Sequence, residues 1–399
     1  MLETRVTIRF GVDRLIADQH LLGEARRVGL VTNDAARLAD DATRHSRIAL
    51  LEAGVPLARL FGPEHGLTAQ AADGTTVADG TDPLTGLPVV SLYGERFRPE
   101  LASLSDLDAV LFDIPDVGAR YYTYTWTLFH VLAACADAQV PLVVLDRPNP
   151  SGGEIASAEG PVLEADCRSF VGEDAIPIRH QLTHGELAML WRRERFANAR
   201  LEVVTCDGWQ RAMQWPQCGL PWVPTSPAMP SFASAQMYAG SCLFEATNLS
   251  VGRGTDAPFQ QVGAPWLDVG AVLSDLARRV PRGAEFNEVT FVPDSGPYAG
   301  ERCRGVHITV TAHSTFRPVA TGFLLLAAIA TTHRLRLQWA RYPTAANPGG
   351  EGHFERLVGR RGIRRYFDGS PQRIDSSLVS AWTDTGDWEA RVAPALLYG

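Results

Sequence analysis

Short apolar runs recur along the first half of the chain, each closed by polar or turn-forming residues. Val28 to Thr32, the run ending at Pro63, Val89 to Tyr93, Ala109 to Ile114 and Pro141 to Leu145 read as buried strands. Helical patterns lie between them, at Asp40 to Ala53 (closed by Gly54) and at about Thr125 to Ala138. Thr183-His184-Gly185-Glu186 has the form of a capping box opening a helix to about Phe196, which assigns Glu186 to structure before catalysis. Beyond Phe259 the texture changes. Val306, Ile308 and Val310 alternate with polar residues as in a half-exposed strand, and Val319 to Thr331 forms a strong helix. Strands alternating with helices predict βαβ units and an α/β fold. We expect a Rossmann-like, mostly parallel sheet domain over residues 1–258, followed by a smaller α+β domain over 259–399.

Length and composition narrow this. At 399 residues the chain is long for one core, which favours two domains. A net charge of -8 argues against nucleic acid as a partner, because phosphate binding needs a basic face. All 37 basic residues are Arg, so a lysine Schiff base and a lysine-dependent phosphate loop are excluded. The first strand runs into Asn33-Asp34-Ala35-Ala36 and not into a G-x-G-x-x-G turn; no dinucleotide, and no other cofactor, is expected. Six cysteines without a C-x-x-C pair, and no H-E-x-x-H, give no expectation of a metal. Met1–Arg5 has no signal-peptide character, and the longest apolar run, Phe323 to Ala330, falls short of the ~20 residues of a membrane span. A cytoplasmic protein without a membrane partner is expected, exported only if the true start lies elsewhere.

The candidate chemistry sits where strands end. Leu60-Phe61-Gly62-Pro63-Glu64-His65-Gly66-Leu67 closes a strand with an acid–histidine pair, and open α/β sheets bind ligands beyond the carboxyl ends of their strands. Glu64 and His65 are acid/base candidates, although His65 also suits a turn and Glu64 an arginine partner. Asp113 and Asp116 end another strand and serve either as acid/base groups or as caps for the segment Tyr121 to Tyr124. Arg120, Tyr122 and Tyr124 supply a carboxylate fork and amphipathic rings of the kind a sugar or anion site uses. Asn248 to Thr255 is a glycine-rich loop in which Arg253 clamps an anion or simply serves a turn. Five prolines between Pro216 and Pro230 point to an ordered, functional loop. There is no G-x-S-x-G elbow for a serine hydrolase.

These segments together resemble the NamZ-type exo-β-N-acetylmuramidases. The likeness rests on Phe61 to Gly66, Asp82 to Pro88 with Ser91 to Gly94, and Asp113 to Tyr124. It continues through Leu145 to Pro150, Glu159 to Leu163, Gly219 to Pro224, Thr247 to Ser250, Gly252 to Thr255 and Val262 to Trp266. It weakens beyond residue 340. The resemblance implies an exo-acting glycosidase releasing N-acetylmuramic acid from the non-reducing end of peptidoglycan fragments, in a cleft between the two domains. The partner would be a small muropeptide or saccharide, with no oligomeric state implied. Glu64 would be the general acid, in keeping with the two-carboxyl logic of glycoside hydrolysis. For the second group Asp116 comes first, with Asp113 and Glu245 behind it, and the substrate's own acetamido group as another possibility. Arg120 and Arg253, then Arg179, would read the lactyl carboxylate, and Asn149 and Asn248 join the substrate-binding set through their motifs. Pro115, Gln181, Val251 and Ala257 depart from the family pattern. They motivate an alternative, a diverged or catalytically silent sugar-binding protein.

Overall fold

The structure, a computed structural model, describes residues 7–399. Met1–Arg5, on which the signal-peptide expectation rests, lies outside the described residues. The larger sheet contains β1 (Val28–Thr32), β2 (Leu57–Gly62), β3 (Gly80–Thr81), β4 (Pro88–Ser91), β5 (Ala109–Asp113), β6 (Leu142–Leu145) and β7 (Leu201–Val204). Its spatial order is β3-β4-β2-β1-β5-β6-β7, parallel except for the β3–β4 pair. Strand order therefore reverses beside β1, where the loops after β1, β2 and β5 splay apart and leave a crevice.

Both faces of this sheet are buried, which is why its strands read as continuous apolar runs. Val31, Phe61, Val110 and Phe112 face the larger core, whereas Leu30, Leu60, Leu111 and Leu145 face a smaller one. Three expected helices form nearly as read, at Tyr124–Ala138, His184–Glu194 and Pro318–Thr332. The capping box at Thr183 forms in full. The helix expected from Asp40 shrinks to Ser46–Glu52. Upstream, Asp41 accepts from both the backbone N–H and the hydroxyl of Thr43, and Arg37 pairs with His45 across a short bridge. Such local side-chain bonds compete with the helix.

The second sheet is antiparallel, in the order β8 (Gln261–Ala264), β10 (Cys303–Val310), β9 (Ala284–Phe291). Val306 and Ile308 of β10 point inward, as their alternation predicts. The two sheets share one continuous apolar core running from Val31 to Ala395. The helix Phe232–Ser241 crosses Pro318–Thr332 so closely that a Cβ on Gly240 would lie 2.0 Å from the Pro318 carbonyl oxygen. By packing, this helix goes with the second sheet although it precedes residue 259. The C-terminal tail in turn rejoins the first unit: Trp388 Nε1 donates to the His180 carbonyl (3.0 Å) and the Tyr398 hydroxyl to Asp146 (2.6 Å). No helix among the described residues is long and apolar enough to cross a membrane.

Candidate active site

Pro63 ends β2, and the chain then turns sharply through His65, whose φ of 66° is rare for a residue with a Cβ. Backbone strain of this kind gathers where a side chain must be aimed. The turn presents Glu64 at the sheet's carboxyl edge, only 7% exposed. One carboxyl oxygen accepts from the Gly74 N–H at 2.8 Å and the other from the Thr123 hydroxyl at 2.5 Å. The Tyr93 phenol stands beside it. Burial, and then the Glu64 carboxylate, push that phenol above its ordinary range, so it stays a protonated donor. His65 Nδ1 lies 2.7 Å from the Ala71 carbonyl, which can only accept, so this nitrogen carries the proton. His65 Nε2 lies 3.5 Å from Asp73.

These groups face a cavity between the sheet edge and the second unit. Tyr93, Tyr121, Tyr122, Tyr238 and Tyr342 form much of its wall, and Glu64, Asp73, Glu245, Arg253 and Arg356 supply its charge. Arg253 is held on both sides. It donates to Glu245 at 2.7 Å, pairs with Asp73 and lies over the Phe259 ring at 5.0 Å. Burial pushes the Glu245 carboxyl above its ordinary range, against the opposing pull of Arg253. The cavity thus joins one oriented carboxyl, Glu64, to a second acidic system of Asp73 and Glu245 bridged by Arg253. Aromatic walls with a few convergent polar groups are what a pyranose ring needs.

Of the residues expected from sequence, Glu64, His65, Tyr122, Glu245 and Arg253 line this cavity together. Tyr122 is fixed by a 2.6 Å bond to Thr225 in the proline-rich loop, and Ser226, Ala228 and Met229 of that loop complete the wall. The remaining expected residues are directed elsewhere. Asp113 is fully buried in an ion pair with Arg147 at 2.6 Å. Asp116 accepts from the Gly118 N–H, stands 3.7 Å and 3.9 Å from His180 and His184, and lines a separate pocket with Trp215 and Trp222. Neither reaches the cavity of Glu64.

Arg120 is not a carboxylate reader in this geometry. Its guanidinium is wholly buried and donates to the carbonyls of Pro161, Ile176, Leu357 and Val358 at 2.7–2.9 Å. Arg179 is likewise interior, donating to the Ser151 carbonyl. The Tyr124 hydroxyl donates to the Thr225 carbonyl behind the wall, although its ring meets His65 edge-on. Asn149 braces the Leu182 carbonyl and the Ser151 N–H, and Asn248 braces Arg336 and Gln338. Both side chains hold backbone and lie off the cavity.

Asp73, Tyr342 and Arg356 had no distinguishing signal in the sequence, and Tyr93 lay in the matching segment Ser91 to Gly94 without being singled out. Asp73 sits in an irregular loop, and Arg356 on the short helix His353–Val358, outside every segment on which the resemblance was read. Pro115, Gln181, Val251 and Ala257 all lie outside the cavity lining, with Val251 in an adjoining pocket that shares Asp73, Glu245 and Arg253 with it. Among the described residues no group of three or more His, Cys, Asp or Glu side chains is arranged to hold a metal ion.

Comparison with known proteins agrees with this architecture. Residues 28–233 match the N-terminal domain of the exo-β-N-acetylmuramidase NamZ family, and residues 236–398 its C-terminal domain. The peptidoglycan β-N-acetylmuramidase NamZ of Bacillus subtilis is 38% identical over 358 residues, covering 90% of this chain and 83% of that protein. A crystal structure of a DUF1343 family protein from Bacteroides fragilis superposes with a TM-score of 0.86 at 30% identity, covering 99% of this chain and all of the other. A second DUF1343 family protein from the same organism gives 0.72 at 25% identity, covering 98% and 99% of the two chains. The chain belongs to the NamZ exo-β-N-acetylmuramidase family.

Proposed function

We infer that the chain is an exo-acting glycosidase that releases N-acetylmuramic acid from the non-reducing ends of peptidoglycan fragments, with Glu64 as its proton donor. The observation that carries the reading is the pair of hydrogen bonds on Glu64 at the edge of a tyrosine-walled cavity. Gly74 N–H can only donate, so it fixes one oxygen as a permanent acceptor. Thr123 is a hydroxyl and can reverse its role, so the oxygen facing it is the one free to carry and deliver a proton. Protonation of the glycosidic oxygen there lets the bond to the anomeric carbon break, with positive charge building on the sugar ring. We assign stabilisation of that charge to the Asp73–Arg253–Glu245 system. Asp116 is turned toward two histidines in a different pocket, which counts against it as the second group.

The 4-nitrophenyl glycosides of β-N-acetylmuramic acid and β-N-acetylglucosamine test this reading beside Glu64→Gln. Turnover of the muramic glycoside, removed by the substitution in a folded protein, is the expected result. Equal turnover by Glu64→Gln would overturn the assignment. Recycling of imported wall fragments in the cytoplasm is the setting we propose. All six cysteines are buried and unpaired, which suits a reducing compartment. Detection of the protein only in an extracellular fraction would refute that setting.

A further inference from the structure

N-acetylmuramic acid differs from N-acetylglucosamine by a lactyl ether that ends in a carboxylate. Admitting that anion to a cavity already holding Glu64, Asp73 and Glu245 is unfavourable unless a cation without an internal partner meets it. Two arginines line the cavity. Arg253 is neutralised by Glu245 and Asp73. Arg356 has no ion-pair or side-chain hydrogen-bond partner among the described residues, and it also lines a second, outer groove in which Arg361 and Arg364 are paired with Asp166, Glu355 and Asp368. The neighbouring His353 adds no positive charge, because burial and Arg356 lower its pKa to about 4.

The backbone that carries Arg356 is held in place. Its helix, His353–Val358, ends in the Leu357 and Val358 carbonyls, and both accept from the buried Arg120 guanidinium at 2.8 and 2.9 Å. Carbonyls at a helix C-terminus lack intrahelical donors, and a cation there satisfies them. Arg120 thereby acts as a positioning residue for the arginine that meets substrate.

We propose that Arg356 binds the lactyl carboxylate of N-acetylmuramic acid and is the residue that selects this sugar over N-acetylglucosamine. The proposal rests on the glycosidase reading above, and two experiments separate them. In the first, kcat/KM is measured for both 4-nitrophenyl glycosides with the wild type, Arg356→Gln and Arg356→Lys. Arg356→Gln should lose about 10- to 100-fold on the muramic glycoside, mostly in KM, with the glucosamine rate little changed; a charge-assisted pair is worth that much. Arg356→Lys should recover part of the loss, since it restores charge without the fork. A merely structural role would lower both substrates alike. In the second, calorimetric binding of free N-acetylmuramic acid and N-acetylglucosamine is compared in the wild type and Arg356→Gln, which needs no turnover. Preference for the muramic sugar in the wild type, lost in Arg356→Gln, supports the assignment even if the glycosidase reading fails. A preference that survives Arg356→Gln, or one absent from the wild type, overturns it.

Discussion

Two acidic clusters hang from the carboxyl edge of the same sheet, and they have opposite fates. After β2, Glu64 is held by one backbone N–H and one hydroxyl and opens on a cavity. After β5, Asp113 is closed by Arg147, and Asp116 lies against Gly118, His180 and His184. Both clusters are nearly inaccessible to solvent, so burial does not tell them apart. The difference lies in the partners. At Asp113 an internal cation, Arg147, closes the carboxylate off, whereas at Glu64 neutral donors orient the carboxyl group at the edge of an open cavity.

The largest effect that tests this contrast is Glu64→Gln, expected to reduce kcat by about 10²- to 10⁴-fold, the range for a general acid. Thermal unfolding should be nearly unchanged, and a large fall in Tm would place Glu64 with the structural cluster. Next comes Asp113→Ala, which strands the Arg147 guanidinium and should cost about 3–5 kcal/mol in urea denaturation. Turnover per folded molecule should be kept; its loss would erase the contrast.

A pH experiment probes the same cluster through His180. Burial lowers its pKa to about 4, against the opposing pull of Asp116, so the folded state holds it neutral. The unfolded chain takes up a proton below about 6.5 and the folded one only near 4, so stability is full above 6.5 and falls as pH drops through that window. The loss should approach about 3 kcal/mol at the acid end. His180→Asn should flatten this slope, and an unaltered slope would show that other groups set it. The smallest effect is expected of Asp116→Asn, with kcat/KM for the folded enzyme within about threefold of wild type. A loss comparable to that of Glu64→Gln would make Asp116 the second carboxyl group after all.

Much of the scaffold was legible in the sequence because its signals are local. Buried parallel strands read as apolar runs, and the capping box at Thr183 is a four-residue pattern. Glu64 was legible for the same reason, since Pro63 and Gly66 mark the turn that presents it. The rest of the site was not, because an arginine that braces carbonyls and one that awaits a carboxylate are the same letter. Arg120 sits in a recognisable motif beside two tyrosines and proved interior. Arg356 lies in no motif and faces the cavity. Asp73 came to the site only through a loop whose path depends on Gly74 reaching Glu64. The domain boundary expected at residue 258 was similarly hidden, since the helix Phe232–Ser241 is assigned by its glycine contact with a segment about eighty residues away.

The buried Arg120 clamp bears on how substrate gets in. It fastens Pro161 and Ile176 of the first unit to the end of a helix in the second, through four bonds to one charge. Swinging the units apart at this edge would strip that charge of the Leu357 and Val358 carbonyls, a cost of about 1.5–3 kcal/mol for each bond. The cleft therefore does not breathe there like a hinged jaw. On the glycosidase reading proposed above, a glycan end would reach Glu64 past a fixed rim, an arrangement that suits free chain termini.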